Sequence, residues 1–260
     1  MEMAMVLSEM RGAVAVLTLN NAAQYNALAW DLLRELNAAL DAAIAGENAR
    51  CILLTGAGKG FCSGAQFGGD TFAQGEKIAD AMRDLVNPVI AKMRASPKPI
   101  VTAINGPAAG AGVGVALAGD MVIAARSAKF ILSFVRLGAT LDGGTSLFLQ
   151  RAIGVARARV LALTGEPLSG EQAAEWGLIW KCVDDAVLME EAMAAAQKLA
   201  AGPPLSMAAI KAQFDSAWDA SLAETLEREA ADQAASFRTQ DLREGAAAFV
   251  EKRAPKFSGR

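Results

Sequence analysis

Apolar positions along this chain follow first a two-residue and then a three-to-four-residue period, and the changeovers mark the predicted elements. GAVAVLTLN (12–20) is β-branched and aliphatic enough for a strand, and the residues before it, MEMAMVLSEMR, alternate in the same manner. NNAAQYN then reads as a turn-rich loop. In AWDLLRELNAALDAAIAG (29–46), Leu32, Leu33, Leu36, Leu40 and Ile44 recur at helical spacing and Gly46 closes the run, which predicts an amphipathic helix. RCILLTGAG (50–58) reads as a buried strand entering a glycine turn, and KIADAMRDLVNPVIAKMRAS (77–96) as a helix kinked at Pro88. KPIVTAINGP (98–107) is strand-like, GAGVGVALAGD (110–120) suits a short buried helix, and MVIAARSAKFILS (121–133) returns to strand character.

Strands and helices in this alternation predict an α/β core with mostly parallel strands. From about residue 186 the pattern changes. VLMEEAMAAAQKLAAG, PPLSMAAIKAQFDSAWDA, LAETLEREAADQAASF and LREGAAAFVEKR are all helical in period, with no strand between them. The expected organisation is an α/β core over 1–195 and an all-helical segment over 196–260, packed on the core or on a neighbouring subunit. No low-complexity linker and no internal repeat is visible.

Composition narrows the function classes. A chain of 260 residues that is 53% hydrophobic can bury a substantial core, and a net charge of −3 argues against nucleic acid or an anionic membrane as partner. Its longest apolar runs are interrupted well short of the roughly 20 residues that span a bilayer. The N-terminus carries an early Glu and alternates like a strand, unlike a signal peptide. Three cysteines without metal-ligand spacing fit a reducing compartment, so a cytoplasmic location is expected and no metal site. The most decisive count is that of histidine, which is zero. Ser-His-Asp and Cys-His arrangements, His-ligated zinc and imidazole acid–base chemistry are thereby removed.

What remains are small-residue loops and one isolated acid. TGAGKGFCSGAQF (55–67) lacks both the G-x-x-x-x-G-K-[ST] and the G-x-G-x-x-G spacing, so it is no phosphate loop of those kinds. Its small residues either serve a strand-to-loop connection or let backbone N–H groups face a ligand oxygen. INGPAAGAGVGVALAGD (104–120) offers the same two readings: close helix packing, or free amides facing a developing negative oxygen. Two amides from separate loops can together form an oxyanion hole. In LGATLDGGTS (137–146), Asp142 stands among glycines and aliphatics with no basic neighbour. It reads equally as a helix N-cap or as a proton carrier in an apolar pocket. Cys62, beside the first loop, reads more readily as a small packed residue than as a nucleophile.

FCSGAQF, INGPAAGAGVGVALAGD, NAL (26–28), LSGEQAAEWGLIWKCV (168–183) and EGAAAFVEKRAPKFSGR at the C-terminus, in this order, resemble the signatures of the enoyl-CoA hydratase/isomerase, or crotonase, superfamily. The resemblance implies a spiral of β-β-α turns followed by helices that build homotrimers, often paired into hexamers. It implies an acyl-CoA thioester substrate whose carbonyl oxygen is held by two backbone amides, here those of Ala65 and Ala111. Coenzyme A is then part of the substrate and no separate cofactor is implied. Family hydratases carry two glutamates; aligned without gaps, their positions are Gly114 and Phe134 in this chain. A further acid position, eight residues beyond the second, is Asp142. RLGATLDGGTSLFLQRAIG resembles the G-L-x-P-D-x-G-x-S-x-x-L-P-R-x-x-G pattern of enoyl-CoA isomerases related to the ring-opening phenylacetyl-CoA isomerase, with Leu141 and Gln150 in place of the two prolines. A dehalogenase branch with an Asp at this position relies on histidine, which this chain lacks.

The resemblance thus makes Asp142, Ala65 and Ala111 the expected catalytic groups, with double-bond isomerisation expected ahead of hydration. Gly64 and Gly110 flank the two amides, while Phe134 and Gly114 are expected to supply an apolar wall and room for substrate. Gln24, Tyr25 and Ala27 fall where the family contacts CoA, and Gln66 and Phe67 follow the loop alanine toward the adenine. Phe249 and Lys252 match positions that reach CoA, commonly from a neighbouring subunit; an amphipathic terminal helix ending in solvated charge accounts for them equally well.

Overall fold

A computed structural model describes residues 4–66 and 77–260. Two strands, β1 (Val6–Arg11) and β2 (Val14–Leu19), form an antiparallel hairpin whose turn at Gly12 splits the single strand expected over 12–20 from its alternating leader. From β2 the sheet continues in parallel through β3 (Cys51–Gly56), β4 (Ile100–Ile104), β6 (Met121–Ala125) and β9 (Lys181–Val183). A second sheet is assembled from β5 (Ala108–Ala109), β7 (Lys129–Ile131) and β8 (Leu168–Ser169). The pairs β4–β5, β6–β7 and β8–β9 therefore each place one strand in the large sheet and one in the small. This is the spiral of β-β-α turns expected from the resemblance.

The run 121–133 is consequently two strands, not one. The backbone turns between Ala125 and Lys129, where the Ala128 amide donates to the Ala125 carbonyl, and the chain passes from one sheet to the other. The exposed Arg126, Ser127 and Lys129 mark that corner within an otherwise apolar run.

Both faces of the sheet's central strands are covered, so β2, β3, β4 and β6 are near-continuous apolar runs with the two-residue period hidden inside, whereas the edge strand β1 is mostly exposed. Val14, Val16, Cys51, Leu53, Val101, Ala103, Ile123 and Ala125 face helix α7 (Leu188–Ala200). α7 meets them with Ala192, Ala195, Ala196 and Ala200, and the small side chains allow close approach. The intervening residues, including Ala15, Leu17, Leu19, Ile52 and Leu54, belong to the larger core shared with α1 (Trp30–Ala45), which contributes Leu32, Leu33, Leu36 and Leu40.

The helix expected over 77–96 runs as α2 (Ile78–Ala81), a π-helical turn (Met82–Val86) and α3 (Asn87–Ala95). Pro88 cannot donate to an i−4 carbonyl, and the wider turn just before it is the form its disruption takes. Asn37 of α1 donates to the Leu85 carbonyl within that turn, at 3.0 Å. α4 (Ala111–Leu117) is buried along its whole length. α5 (Thr145–Thr164) is broken at Gly154, and α6 (Gly170–Glu175) leads into β9.

α8 (Pro204–Ala217), α9 (Leu222–Ser236) and α10 (Gln240–Glu251) complete the tail. Lys211 of α8 pairs with Asp120 at 2.6 Å, and Arg94 with Asp215, fixing α8 beside the ends of β4 and α3. These three helices bury few side chains of their own. Phe214, Trp218, Leu222 and Phe249 are all more than half exposed. No helix of the described residues is long and apolar enough to cross a membrane.

Candidate active site

Two loops and one turn converge at the junction of the two sheets. After β3 the chain bends back through Phe61 and Cys62, whose carbonyl accepts from the Ala109 amide at 2.8 Å. Gly64 then lies directly on the strand that leads into α4. Its φ of +84° is a left-handed conformation, and a methyl group there would stand 2.6 Å from the Ala109 carbonyl oxygen and 3.4 Å from the Ala111 amide nitrogen. Only glycine lets the two loops touch. The Gly64 carbonyl in turn accepts from the Leu28 amide at 2.8 Å, which anchors the first loop on the start of α1.

Ala65 is exposed and Ala111 is buried at the first residue of α4. Among the described residues neither amide donates to a protein acceptor, although their neighbours are engaged: Gly110 donates to Ile131 and Val113 to Gly110. Two unengaged N–H groups on touching loops are what a carbonyl oxygen bound between them requires.

Asp142 lies on the turn before α5, which rests on α4 through Gly143. Its backbone carbonyl, not its carboxylate, receives the bonds at the start of α5, from the Thr145 amide at 3.0 Å and the Thr145 hydroxyl at 2.8 Å. The N-cap residue of α5 is Gly144, without a side-chain cap. The helix-cap reading of the carboxylate is therefore replaced: Oδ1 is buried and makes no hydrogen bond. Burial pushes the Asp142 carboxyl up to about 6, so near neutrality it can both take and return a proton.

The expected residues divide into two groups. Gly64, Ala65, Gly110, Ala111, Phe134 and the Asp142 turn come together. The Phe134 ring lies 3.9 Å from where a Cβ on Gly110 would stand, forming an apolar wall beside the second loop. Gly114 needs correction. The space above it is not open to substrate, because a methyl group there would fall on the Gly143 carbonyl oxygen, with Gly143 Cα 3.0 Å away. Gly114 receives the Asp142 turn itself.

Gln24, Tyr25 and Ala27 adjoin the first loop: the Ser63 amide donates to the Tyr25 carbonyl and the Ser63 hydroxyl to the Gln24 carbonyl. Tyr25 is half exposed with its ring over Gly60, whereas Ala27 is buried. Gln66 is exposed. Phe67 and the segment 68–76 lie outside the described residues. Phe249, 84% exposed on α10, and Lys252 at its C-cap make no hydrogen bond to these loops.

Sequence reasoning overlooked the role of Asn26. This residue is fully buried with φ +55° and accepts from the Asn21 amide, while Nδ2 donates to the carbonyls of Ala57, Gly60 and Phe61. It welds the Tyr25 turn to the first amide loop. The signal was there in NAL, because Asn tolerates the left-handed region and pairs readily with nearby backbone. Cys62 is fully buried and burial pushes its thiol up to about 12, so it is a packed residue and no nucleophile. Among the described residues no three His, Cys, Asp or Glu side chains cluster to hold a metal ion.

The chain resembles known proteins over almost its whole length. The family model for enoyl-CoA hydratase/isomerase matches residues 9–260. The 1,2-epoxyphenylacetyl-CoA isomerase of Escherichia coli K12 is 40% identical, covering 99% of this chain and 100% of its own. A Rhodobacter capsulatus protein named "Probable enoyl-CoA hydratase" is 42% identical over 97% of both chains. The crystal structure of an enoyl-CoA hydratase from Bacillus anthracis superposes with a TM-score of 0.92 at 32% identity, covering 98% of this chain and 100% of the other. With its spiral architecture and paired amide loops, the chain belongs to the enoyl-CoA hydratase/isomerase family.

Proposed function

We propose that this protein shifts a carbon–carbon double bond in an enoyl-CoA thioester by proton transfer, with Asp142 as the single proton carrier. The observation that carries this reading is the buried, unpartnered Asp142 Oδ1 on a turn packed against Ala111. The Asp142 carboxylate removes a proton from the carbon next to the thioester. The electron pair delocalises onto the thioester carbonyl oxygen, where the Ala65 and Ala111 amides hold the charge, and through the adjacent double bond onto the carbon two bonds along. The protonated Asp142 then delivers the proton two bonds along, which returns the carboxylate and leaves the double bond conjugated with the thioester. The step conserves every atom of the substrate and calls for no cofactor beyond the CoA that is part of it.

Water addition wants two acid–base groups, one for the water and one for the α-carbon. The two positions that carry glutamates in family hydratases are Gly114, covered by Gly143, and Phe134, a buried wall. The test is to give the protein a 3-enoyl-CoA and a 2-enoyl-CoA and weigh the products. Interconversion without change of mass is expected, and gain of one water as the main outcome would favour the hydratase reading, which the Rhodobacter capsulatus relative's name represents. Because the carboxylate must be ionised to act, kcat/KM should rise with pH through an inflection near 6 and level off above it.

The apolar side chains left exposed on α8, α9 and α10 support a homo-oligomer, a trimer or a pair of trimers, with Phe249 and Lys252 completing a neighbour's CoA site. Light scattering is expected to return a multiple of three of the 27.0 kDa chain, and a monomer would contradict this.

A further inference from the structure

Gly114 and Gly143 are far apart in sequence yet in backbone-to-backbone contact. A methyl group on Gly114 would fall on the Gly143 carbonyl oxygen, with the Gly143 carbonyl carbon at 2.9 Å and its Cα at 3.0 Å. Seen from the other side, a methyl group on Gly143 would lie 3.5 Å from Gly114 Cα, 3.4 Å from the Ala111 carbonyl oxygen and 3.6 Å from Ala111 Cα. The residue after Asp142 thus rests on the first turn of α4, within one side-chain length of the residue that offers the second amide. Backbone has no flexible end to swing aside, so any side chain at 114 must move the turn.

We infer that Gly114 is a positioning and specificity-determining residue: its missing side chain is the seat that sets the Asp142 carboxylate beside the Ala111 amide. This rests on the reading of Asp142 as proton carrier. It also goes beyond that reading, because it makes the glycine more than a lost acid. A glutamate at 114 and the Asp142 turn in its present place exclude each other. The single acid on the turn and the missing acid on α4 are then one structural choice.

The Asp142 Oδ1 is buried in this position of the turn. No charged side chain of the described residues contributes to the upward shift of Asp142, which has burial as its cause. Displacing the turn should therefore show in the titration of Asp142 itself as well as in rate.

The experiment compares the wild type with Gly114→Ala and, as a disturbance of the turn itself, Gly143→Ala, where the φ of +57° strains any side chain while the methyl meets only ordinary contacts at 3.4–3.6 Å. Gly119→Ala serves as a control from the same end of the fold, since a methyl there would meet the Thr102 side chain at 2.7 Å, away from the turn. In Gly114→Ala, kcat should fall about 10- to 100-fold with KM changed much less, as for a displaced proton carrier. The pH inflection should drop from near 6 toward the ordinary carboxylate range. Gly143→Ala should move both in the same direction by less. Gly119→Ala should lower the Tm without moving the inflection. If Gly114→Ala does not fold, Gly143→Ala carries the test alone.

Titration of the Asp142 carboxyl by NMR of aspartate-labelled protein reads the positioning without turnover. If Asp142→Asn keeps wild-type exchange, the proton-carrier reading fails, while a lowered titration in the glycine variants still upholds the seat. An unchanged titration and kcat in the glycine variants overturns the inference, whatever Asp142→Asn does. Gly114→Glu completes the comparison: it should lose isomerisation without gaining water addition. Gain of hydration with the inflection still near 6 would show that position 114 has room for a side chain, and would overturn the inference.

Discussion

Asp142→Asn should reduce kcat for double-bond migration by about 10²- to 10⁴-fold, the range expected for removal of a general base, while KM for the enoyl-CoA changes little. The same variant should be more stable than the wild type near neutral pH. The wild-type carboxyl is raised on folding from 3.8 to about 6 by burial, so the folded state binds the proton more tightly than the unfolded chain. Stability of the wild type therefore falls as pH rises through that interval, and the carboxylate remains a cost above it. An amide carries no such cost, so the Tm advantage of the variant should be present above about pH 6 and vanish below about pH 4, where both states of the wild type are protonated. A helix-capping Asp would show no such pH-dependent gain, because Asn caps a helix about as well as Asp. Calorimetry at two pH values alongside turnover separates the two cases.

The second large effect belongs to the amide loops. Gly64→Ala places a methyl group against the Ala109 carbonyl oxygen at 2.6 Å and near the Ala111 amide, at a φ of +84° that L side chains rarely adopt. The two loops must part. A loss of one well-placed donor to a developing oxyanion costs about 2.7–4 kcal/mol, so kcat should fall by about 10²- to 10³-fold. The pH inflection should stay near 6, because the added methyl would press on Ala109 and Ala111 and not on the Asp142 turn. A drop in kcat of less than about threefold, with the variant folded, would mean that the amides do not hold the charge.

Much of the fold was legible in the sequence because burial imposes period. Leu32, Leu33, Leu36 and Leu40 mark α1 by spacing alone, and all four are buried where that spacing put them. The four helical runs after residue 186 appear as α7 to α10. The corner between Ala125 and Lys129 was written only in the short polar interruption of Arg126, Ser127 and Lys129, and the apolar runs on either side read as one strand. The repeat was hidden for a related reason, since successive turns of the spiral share geometry but use side chains of different size to fill different parts of the core.

The site was legible in its chemistry and not in its contacts. A lone Asp between glycines signals a special carboxylate, and small-residue loops signal exposed amides, because both departures from ordinary packing are written in single residues. The seating of Gly143 on Gly114 is a property of the pair, which no local pattern carries. Hence Gly114 read as open space for substrate when it is filled by backbone. Asn26 was passed over because a buried Asn and a turn Asn look alike in sequence. Only the fold shows its amide meeting the carbonyls of Ala57, Gly60 and Phe61.

The central claim is that one carboxyl group moves the proton. Its most direct test is exchange from a 3-enoyl-CoA in heavy water at a pH above 6, followed by NMR at the carbon next to the thioester. Wild-type protein should introduce deuterium there and at the carbon two bonds along, and Asp142→Asn, though folded and binding substrate, should introduce it at neither. Undiminished exchange in Asp142→Asn would contradict the account.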